Sequence, residues 1–258
     1  MKNLIISLVF AFLAPQTEGP FFGTPVGNAS NACSAPTASW TYFYAPSAGP
    51  CGGSSSYAGF NELVAGANCF VAAGSGSAPT YSATGAIGSQ PNLQFNGSSD
   101  ELNTSDLSIS TSVTVVAVIE PSSVSVVNGI LGSNSSGTFG WRLGATGVQQ
   151  IDDVNTGTAT ADSTTHAANT WTAVAVTYIP GSTTYAFYNY AGAGVFNAGN
   201  SGSSMTYSPS IGITTAGYIN STNFFDGNMA LVALRNGVMT QAQLNTNIGT
   251  YIYCYFGF

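Results

Sequence analysis

The stretch "SVTVVAVIEP", residues 112–121, decides the fold. Val113, Val115, Ala117 and Ile119 recur at every second position, so on an extended chain they share one face. The intervening Thr114, Val116 and Val118 are hydroxylated or aliphatic, and none is charged. A strand with no charged face is one that is covered on both sides. "TWTAVAVTYIP" (170–180) has the same design, with Val174, Val176 and Tyr178 on one face. Around these two lie further short segments, "NLQFNG" (92–97), "NGILGS" (128–133), "FGWRLGA" (139–145), "TTYAFYNYAGAG" (183–194), "IGITTA" (211–216) and "FFDGNMALVALRNG" (224–237). Each is bounded by Gly, Asn, Ser or Pro, as strands joined by tight turns are. Many short strands at this spacing predict an all-β antiparallel β-sandwich, with a barrel as the alternative. No internal repeat of the solenoid or propeller kind is present.

Outward from this region the pattern weakens. Residues 20–90 are rich in Gly, Ser, Pro and Ala, and only "SWTYFYAP" (39–46) reads as a strand; the remainder, including "NCFVAA" (68–73), reads as ordered loop. In "MTQAQLNTNIGTYI" (239–252), Thr240 is a helix cap before apolar Ala242, Leu244 and Ile248, which predicts a short C-terminal helix or turn. "TYIYCYFGF" (250–258) is rich in β-formers and reads as a closing strand.

The chain has 258 residues, 44% hydrophobic and only 5% charged, enough for one sizeable core under a neutral surface of Ser, Thr, Asn and Gly. Lys2, Arg142 and Arg235 stand against ten carboxylates, which excludes a patch able to neutralise a phosphate backbone or an anionic membrane surface. Residues 1–14, "MKNLIISLVFAFLA", hold an eleven-residue apolar run, too short for an ordinary membrane span. They read either as a signal peptide or as an N-terminal arm packed on the sandwich or on a neighbouring subunit. The expected organisation is residues 1–19 as that segment and 20–258 as one domain. Weak charge repulsion tolerates close packing, so a homo-oligomer or array component is expected.

Cys33, Cys51, Cys69 and Cys254 have no C-x-x-C spacing, and His166 completes no familiar zinc set with them. An even cysteine count behind a secretory-looking start predicts two disulfides among three possible connectivities, with four buried thiols as the alternative. The expected pairs are Cys33 with Cys51 and Cys69 with Cys254.

Taken in order, "LQFNGSSDELNTSD" (93–106), "SVTVVAVIEP", "GWRLG" (140–144), "NTWTAVAVTYIPGSTTYAFYNYAG" (169–192) and "FFDGNMALVALRNGVMTQAQLN" (224–245) resemble the motif series of concanavalin A-like lectin/glucanase domains of the laminin-G-like type. The likeness covers residues 79–250 and is similar to forms found in bacterial surface and phage virion proteins. It implies a concanavalin A-like jelly roll. Gly85, Gly88 and Pro91 would then carry the chain over the sheet edge, and Asn96, Gly97 and Asp100 would form the turn into the inner strand.

Function does not follow from fold. The superfamily's glucanases resemble one another in an E-x-D-x-x-E strand that places carboxylates on one face, and this chain has none. Its adjacent acids, Asp100 with Glu101 and Asp152 with Asp153, would point to opposite faces of a strand. With one histidine and no G-x-S-x-G, a serine triad has no basis either, and no catalytic residue is expected. Calcium is the one cofactor the resemblance raises, with Asp152, Asp153 and Asp226 as donors near Asn223. Sugar binding would use aromatic platforms beside amides or a guanidinium: Trp141 with Arg142, Tyr188 with Asn189 and Tyr190, and Tyr218 with Asn220 and Asn223. The leading expectation is a non-catalytic structural or adhesive protein of an extracellular surface or virion, as a decoration, fibre or capsid-associated component. A carbohydrate-binding module is the alternative, and a polysaccharide hydrolase ranks third.

Overall fold

With aliphatic side chains on both faces, Val113–Pro121 lies inside the sheet and has an antiparallel neighbour on each side. The computed structural model describes residues 33–258, apart from 54–56, 65, 67, 106, 108, 110, 155–157, 183, 203–208 and 221. The segment expected as a signal peptide or arm lies outside the described residues. In chain order the strands are β1 (Tyr42–Ser47), β2 (Gly59–Glu62), β3 (Phe70–Val71), β4 (Thr80–Ser82), β5 (Asn92–Asn96), β6 (Leu102–Asn103), β7 (Val113–Pro121), β8 (Asn128–Gly132) and β9 (Phe139–Leu143). They continue as β10 (Val148–Asp153), β11 (Thr158–Thr165), β12 (Thr172–Ile179), β13 (Thr184–Gly192), β14 (Val195–Gly202), β15 (Thr215–Ala216), β16 (Tyr218–Ile219), β17 (Asn223–Phe224) and β18 (Asp226–Asn236). Three short helices complete the list: α1 (Pro50–Gly53), α2 (Gln241–Leu244) and α3 (Thr250–Phe256).

One antiparallel path runs β11-β10-β9-β8-β15-β6-β3-β2-β1-β18-β7-β12-β13-β14, with β5 paired to β18 and β4 to β5. The path doubles over so that a front layer, β18-β7-β12-β13-β14, faces a back layer that includes β8, β9 and β10. Val115, Val174, Val176 and Val232 of the front layer share one buried cluster with Ile130, Trp141, Leu143 and Ile151 of the back layer. Val115 and Val174 have no exposed surface, as period-two alternation requires. Phe139 of β9 stacks on Tyr178 of β12 across the layers, with centroids 5.6 Å apart. The chain is an all-β antiparallel sandwich of the jelly-roll kind, and Cys33–Phe258 forms one compact unit.

The second face of the front layer is covered too. Val116, Val118, Ala173, Ala175, Ala230 and Ala233 form a shallow floor, on which Leu244, Ile248, Tyr251, Ile252 and Phe256 pack. Thr240 caps α2 through a reciprocal capping box with Gln243. Buried Thr114 holds the segment ahead of it, donating to the Gly237 carbonyl at 2.7 Å and accepting from the Met239 amide at 2.9 Å. Each fully buried Leu, Ile or Phe on this face contributes roughly 1.5–3 kcal/mol.

Three expectations are corrected. Residues 250–256 form helix α3, not a strand: Leu244, Ile248, Tyr251, Ile252 and Phe256 fall at helical spacing, and that stripe outweighs the β preference of Tyr and Ile. The loop-like stretch before residue 90 contains β2, β3 and β4, which are only two to four residues long and too short to show alternation. The disulfides are Cys33–Cys254 and Cys51–Cys69, each with Cα atoms 5.8 Å apart. The β2–β3 pairing, with Phe60 opposite Phe70, returns Cys69 to Cys51. Cys33 packs against the outer cluster beside α3, which carries Cys254.

Candidate functional site

Alternation along β12, β13 and β14 also sets what the outer face of the front layer offers where the helical cover ends. The register places Thr177 opposite Ala186, and Ala186 opposite Ser201. These small side chains lie side by side across three strands and form the floor of an open groove of about 350 Å³. Tyr188 bounds it at one end, Ile179 and Thr184 at the other, and Val238, just ahead of α2, supplies a wall. The backbone of Gly202 closes the edge-strand side, while the Tyr185 ring turns to the inner face beside Phe187, where a Cβ at Gly202 would meet it. The Tyr188 hydroxyl is bonded to the Thr177 side chain, and burial raises this phenol above its ordinary range. Among the described residues, the hydroxyls of Thr177, Thr184 and Ser201 and one edge of Tyr188 line the groove, and no carboxylate, lysine, arginine or histidine does.

Of the expected sugar-contacting residues, only Tyr188 reaches this groove. Trp141 is corrected: it is 0% exposed, its ring sits in the inter-layer core, and its Nε1–H donates to Gln149 Oε1 at 3.2 Å. Phe139, Trp141 and Leu143 alternate with Gly140 and Arg142 on β9, so the tryptophan takes the inward side. Arg142 points the other way and is spent internally, with Nη1 2.7 Å from Asp152 Oδ2 and Nε donating to Gln150 Oε1 at 3.0 Å.

The structure gathers Tyr218, Asn220 and Asn223 in one place, the β16–β17 hairpin, which lies over the outer face of β8. Tyr218 stacks on Phe224 with centroids 4.8 Å apart, and it is buried. Asn220 takes the left-handed turn position with φ 58°. The approach depends on glycine: a Cβ at Gly129 would collide with the Asn223 carbonyl and the Ile219 amide. This hairpin is sheet cover, with its principal aromatic turned away from solvent.

The calcium donors do not assemble. Asp152 is held by Arg142, and Asp226, half-buried on β18, has its amide donating to Asn128 Oδ1 at 2.9 Å. Among the described residues no three His, Cys, Asp or Glu side chains converge into a metal-holding group. Burial raises the Asp152 carboxyl, with Arg142 lowering it in part, and burial likewise raises Asp153. The other carboxylates serve turns and edges. Glu62 accepts from the Val64 amide, Asp100 from the Asn96 amide, and Glu120 from Asn228 Nδ2.

His166, just past the end of β11, belongs to a buried polar network. Asp162 Oδ1 accepts the edge amide of Asn200 at 2.7 Å, and its Oδ2 accepts Asn189 Nδ2 at 2.7 Å. Asn189 Oδ1 is met by Gln149 Nε2 at 2.7 Å and by His166 Nε2 at 2.9 Å. Because Asp162 fixes the amide orientation, His166 Nε2 carries the proton and donates. The network joins β10 and β11 of the back layer to β13 and β14 of the front layer, where the two ends of the sheet path meet. Its residues are far apart in sequence, and no local signal unites them.

Burial pushes the His166 pKa below its ordinary value, while the Asn189 bond and the Asp162 charge oppose that shift. A folded-state pKa below the unfolded one gives stability that is full above pH about 6.5 and is lost as pH falls through the folded value. Asp100, Asp152 and Asp153 are raised, so their contribution has the opposite sign and grows as pH falls. The His166 contribution should therefore lower the urea midpoint as pH falls, and His166→Gln should remove that component of the pH dependence. An unchanged slope in the variant would show that His166 does not govern it.

No protein-family model and no curated protein matches the chain. Among solved structures it is similar to domain 4 of AbnA, a GH43 extracellular arabinanase from Geobacillus stearothermophilus, in complex with arabinotriose. That match has 14% identity and a TM-score of 0.50, over 67% of this chain and 82% of that one. It is also similar to a Trypanosoma rangeli sialidase, at 14% identity and a TM-score of 0.55, over 90% of this chain but only 35% of that one. At such identities the likeness shows the fold alone, a β-sandwich of the kind these carbohydrate-related proteins contain.

Proposed function

We propose that this chain is a non-catalytic carbohydrate-binding β-sandwich that works in an oxidising, extracellular setting. The observation that carries the reading is the groove on β12, β13 and β14, where the exposed edge of Tyr188 and the hydroxyls of Thr184 and Ser201 meet around a small-residue floor. Tyr188 is buried but for one edge, which can meet the C–H side of a sugar ring while hydroxyls exchange hydrogen bonds with the sugar's polar edge. The volume is at the low end for ligand pockets, which suits one or two sugar rings. Two disulfides support the compartment. The arabinanase domain solved with arabinotriose supports the ligand class only as an analogy of fold. The absence of acids from the groove lining, and the internal bonds made by Glu62, Asp100, Glu120, Asp152 and Asp162, support a binding role over hydrolysis.

Kinship with laminin-G-like domains belongs to this proposal, resting on the ordered motifs between residues 79 and 250. The expected role as a virion or surface assembly component rested on the resemblance and the uncharged, disulfide-capable composition, and the groove favours the carbohydrate reading over it. The test is saturation-transfer NMR and calorimetry with a panel of oligosaccharides. A shallow groove predicts Kd on the order of 1 mM. Ser201 is exposed on an edge strand, so Ser201→Trp fills the groove without touching the core. It should weaken binding about tenfold or more, equivalent to about 1.4 kcal/mol. Sugar signals that survive unchanged in this variant would place any binding elsewhere.

A further inference from the structure

We infer that the groove selects neutral glycans and rejects carboxylated and sulfated ones; this inference rests on the carbohydrate-binding reading above. Ligand atoms entering the groove meet the hydroxyls of Thr184 and Ser201, the exposed edge of Tyr188 with its hydroxyl bonded to Thr177, and the methyl groups of Ala186 and Val238. Hydroxyl groups match a sugar's own hydroxyls as both donors and acceptors. A carboxylate or sulfate would be taken from water with no charged partner to replace hydration, which disfavours it strongly.

Among the described residues, no cation lines the groove to supply that partner. Arg142 is on the outer face of the back layer and is committed to Asp152 and Gln150. Arg235 on β18 lies opposite Thr114 on β7, and Thr114 opposite Thr177 on β12, so two strand spacings, about 10 Å, separate its backbone from that of Thr177, and its side chain is not part of the groove lining. Lys2 lies outside the described residues. His166 is buried, with its bond to Asn189 on the inner side of β13. A formal net charge of −7 adds long-range repulsion of anionic ligands.

The experiment applies the full chain, Ser201→Trp and Arg235→Gln to an array of neutral oligosaccharides and their sialylated, uronic-acid and sulfated counterparts, at low and high salt. Lactose and α2,3-sialyllactose form one matched pair that differs by a single acidic residue. Expected is binding confined to neutral members, at least tenfold above the matched acidic member, insensitive to salt and to Arg235→Gln, and lost in Ser201→Trp. Binding confined to acidic members, weakened by salt and by Arg235→Gln, would overturn the selectivity and leave carbohydrate binding standing. Neutral binding that Ser201→Trp leaves intact would overturn the groove as its source. Silence across both halves of the array would overturn the carbohydrate reading itself, and the selectivity with it.

Discussion

Replacing Cys33 and Cys254 together by Ala is expected to lower stability by about 5 kcal/mol, against about 3 kcal/mol for the Cys51 and Cys69 pair. The difference comes from chain length: the first bridge spans 221 residues of separation and the second 18. Loop-closure entropy removed from the unfolded chain grows with the logarithm of that span, so the longer bridge contributes more although both join Cα atoms at the same separation. The native contacts of α3 do not depend on the bond. Tyr251 meets Phe43 edge-on at 5.6 Å, and Ile252 and Phe256 are buried in the outer cluster. Both double variants should therefore fold and differ in urea midpoint. Equal losses from the two would mean that the unfolded chain is already held compact by something other than the bridges.

How far the sequence foretells this structure depends on how local each feature is. β7 and β12 are legible because alternation is a property of consecutive residues, and Val115 and Val174 are buried as their spacing requires. The helix over 250–256 was also written locally, in the spacing of Leu244, Ile248, Tyr251, Ile252 and Phe256, but composition masked it. Trp141 could have been placed by the same rule, since its β9 neighbours Gly140 and Arg142 occupy the outward positions. The disulfide connectivity was not legible, because Cys254 meets Cys33 only after the last helix docks on the outer face. The groove is non-local in a stricter sense. Thr177, Ala186 and Ser201 are unremarkable on three separate strands and become a surface only through their register. Of its lining, only Tyr188 carried a sequence signal, as an aromatic beside an amide.

The network at the open side of the sandwich gives the second large expected effect. Asn189→Ala removes the acceptor used by Gln149 and His166 and the donor used by Asp162, all three of which are buried. Stranding buried polar groups, one of them charged, costs about 3–5 kcal/mol, which exceeds the value of the bonds themselves. Asn189→Asp separates this account from a simple loss of packing, because the shape is kept and only one atom changes. The new oxygen still accepts from Gln149 and His166 but now faces the Asp162 carboxylate, where Asn189 Nδ2 stood at 2.7 Å. A carboxylate beside another, out of water, has its pKa raised, and the histidine gains an anionic partner that raises its own. Groups raised in the folded state give stability that is present at low pH and lost as pH rises through the folded values. The His166 contribution in the wild type has the opposite sign, because burial lowers that group's pKa. Asn189→Asp should therefore be several kcal/mol less stable than wild type at pH 7, recover as the pH is lowered, and reverse the sign of the His166 contribution to the pH dependence of the urea midpoint. A variant that tracks the wild-type slope at a constant offset would show that the amide acts through its shape and not through its proton.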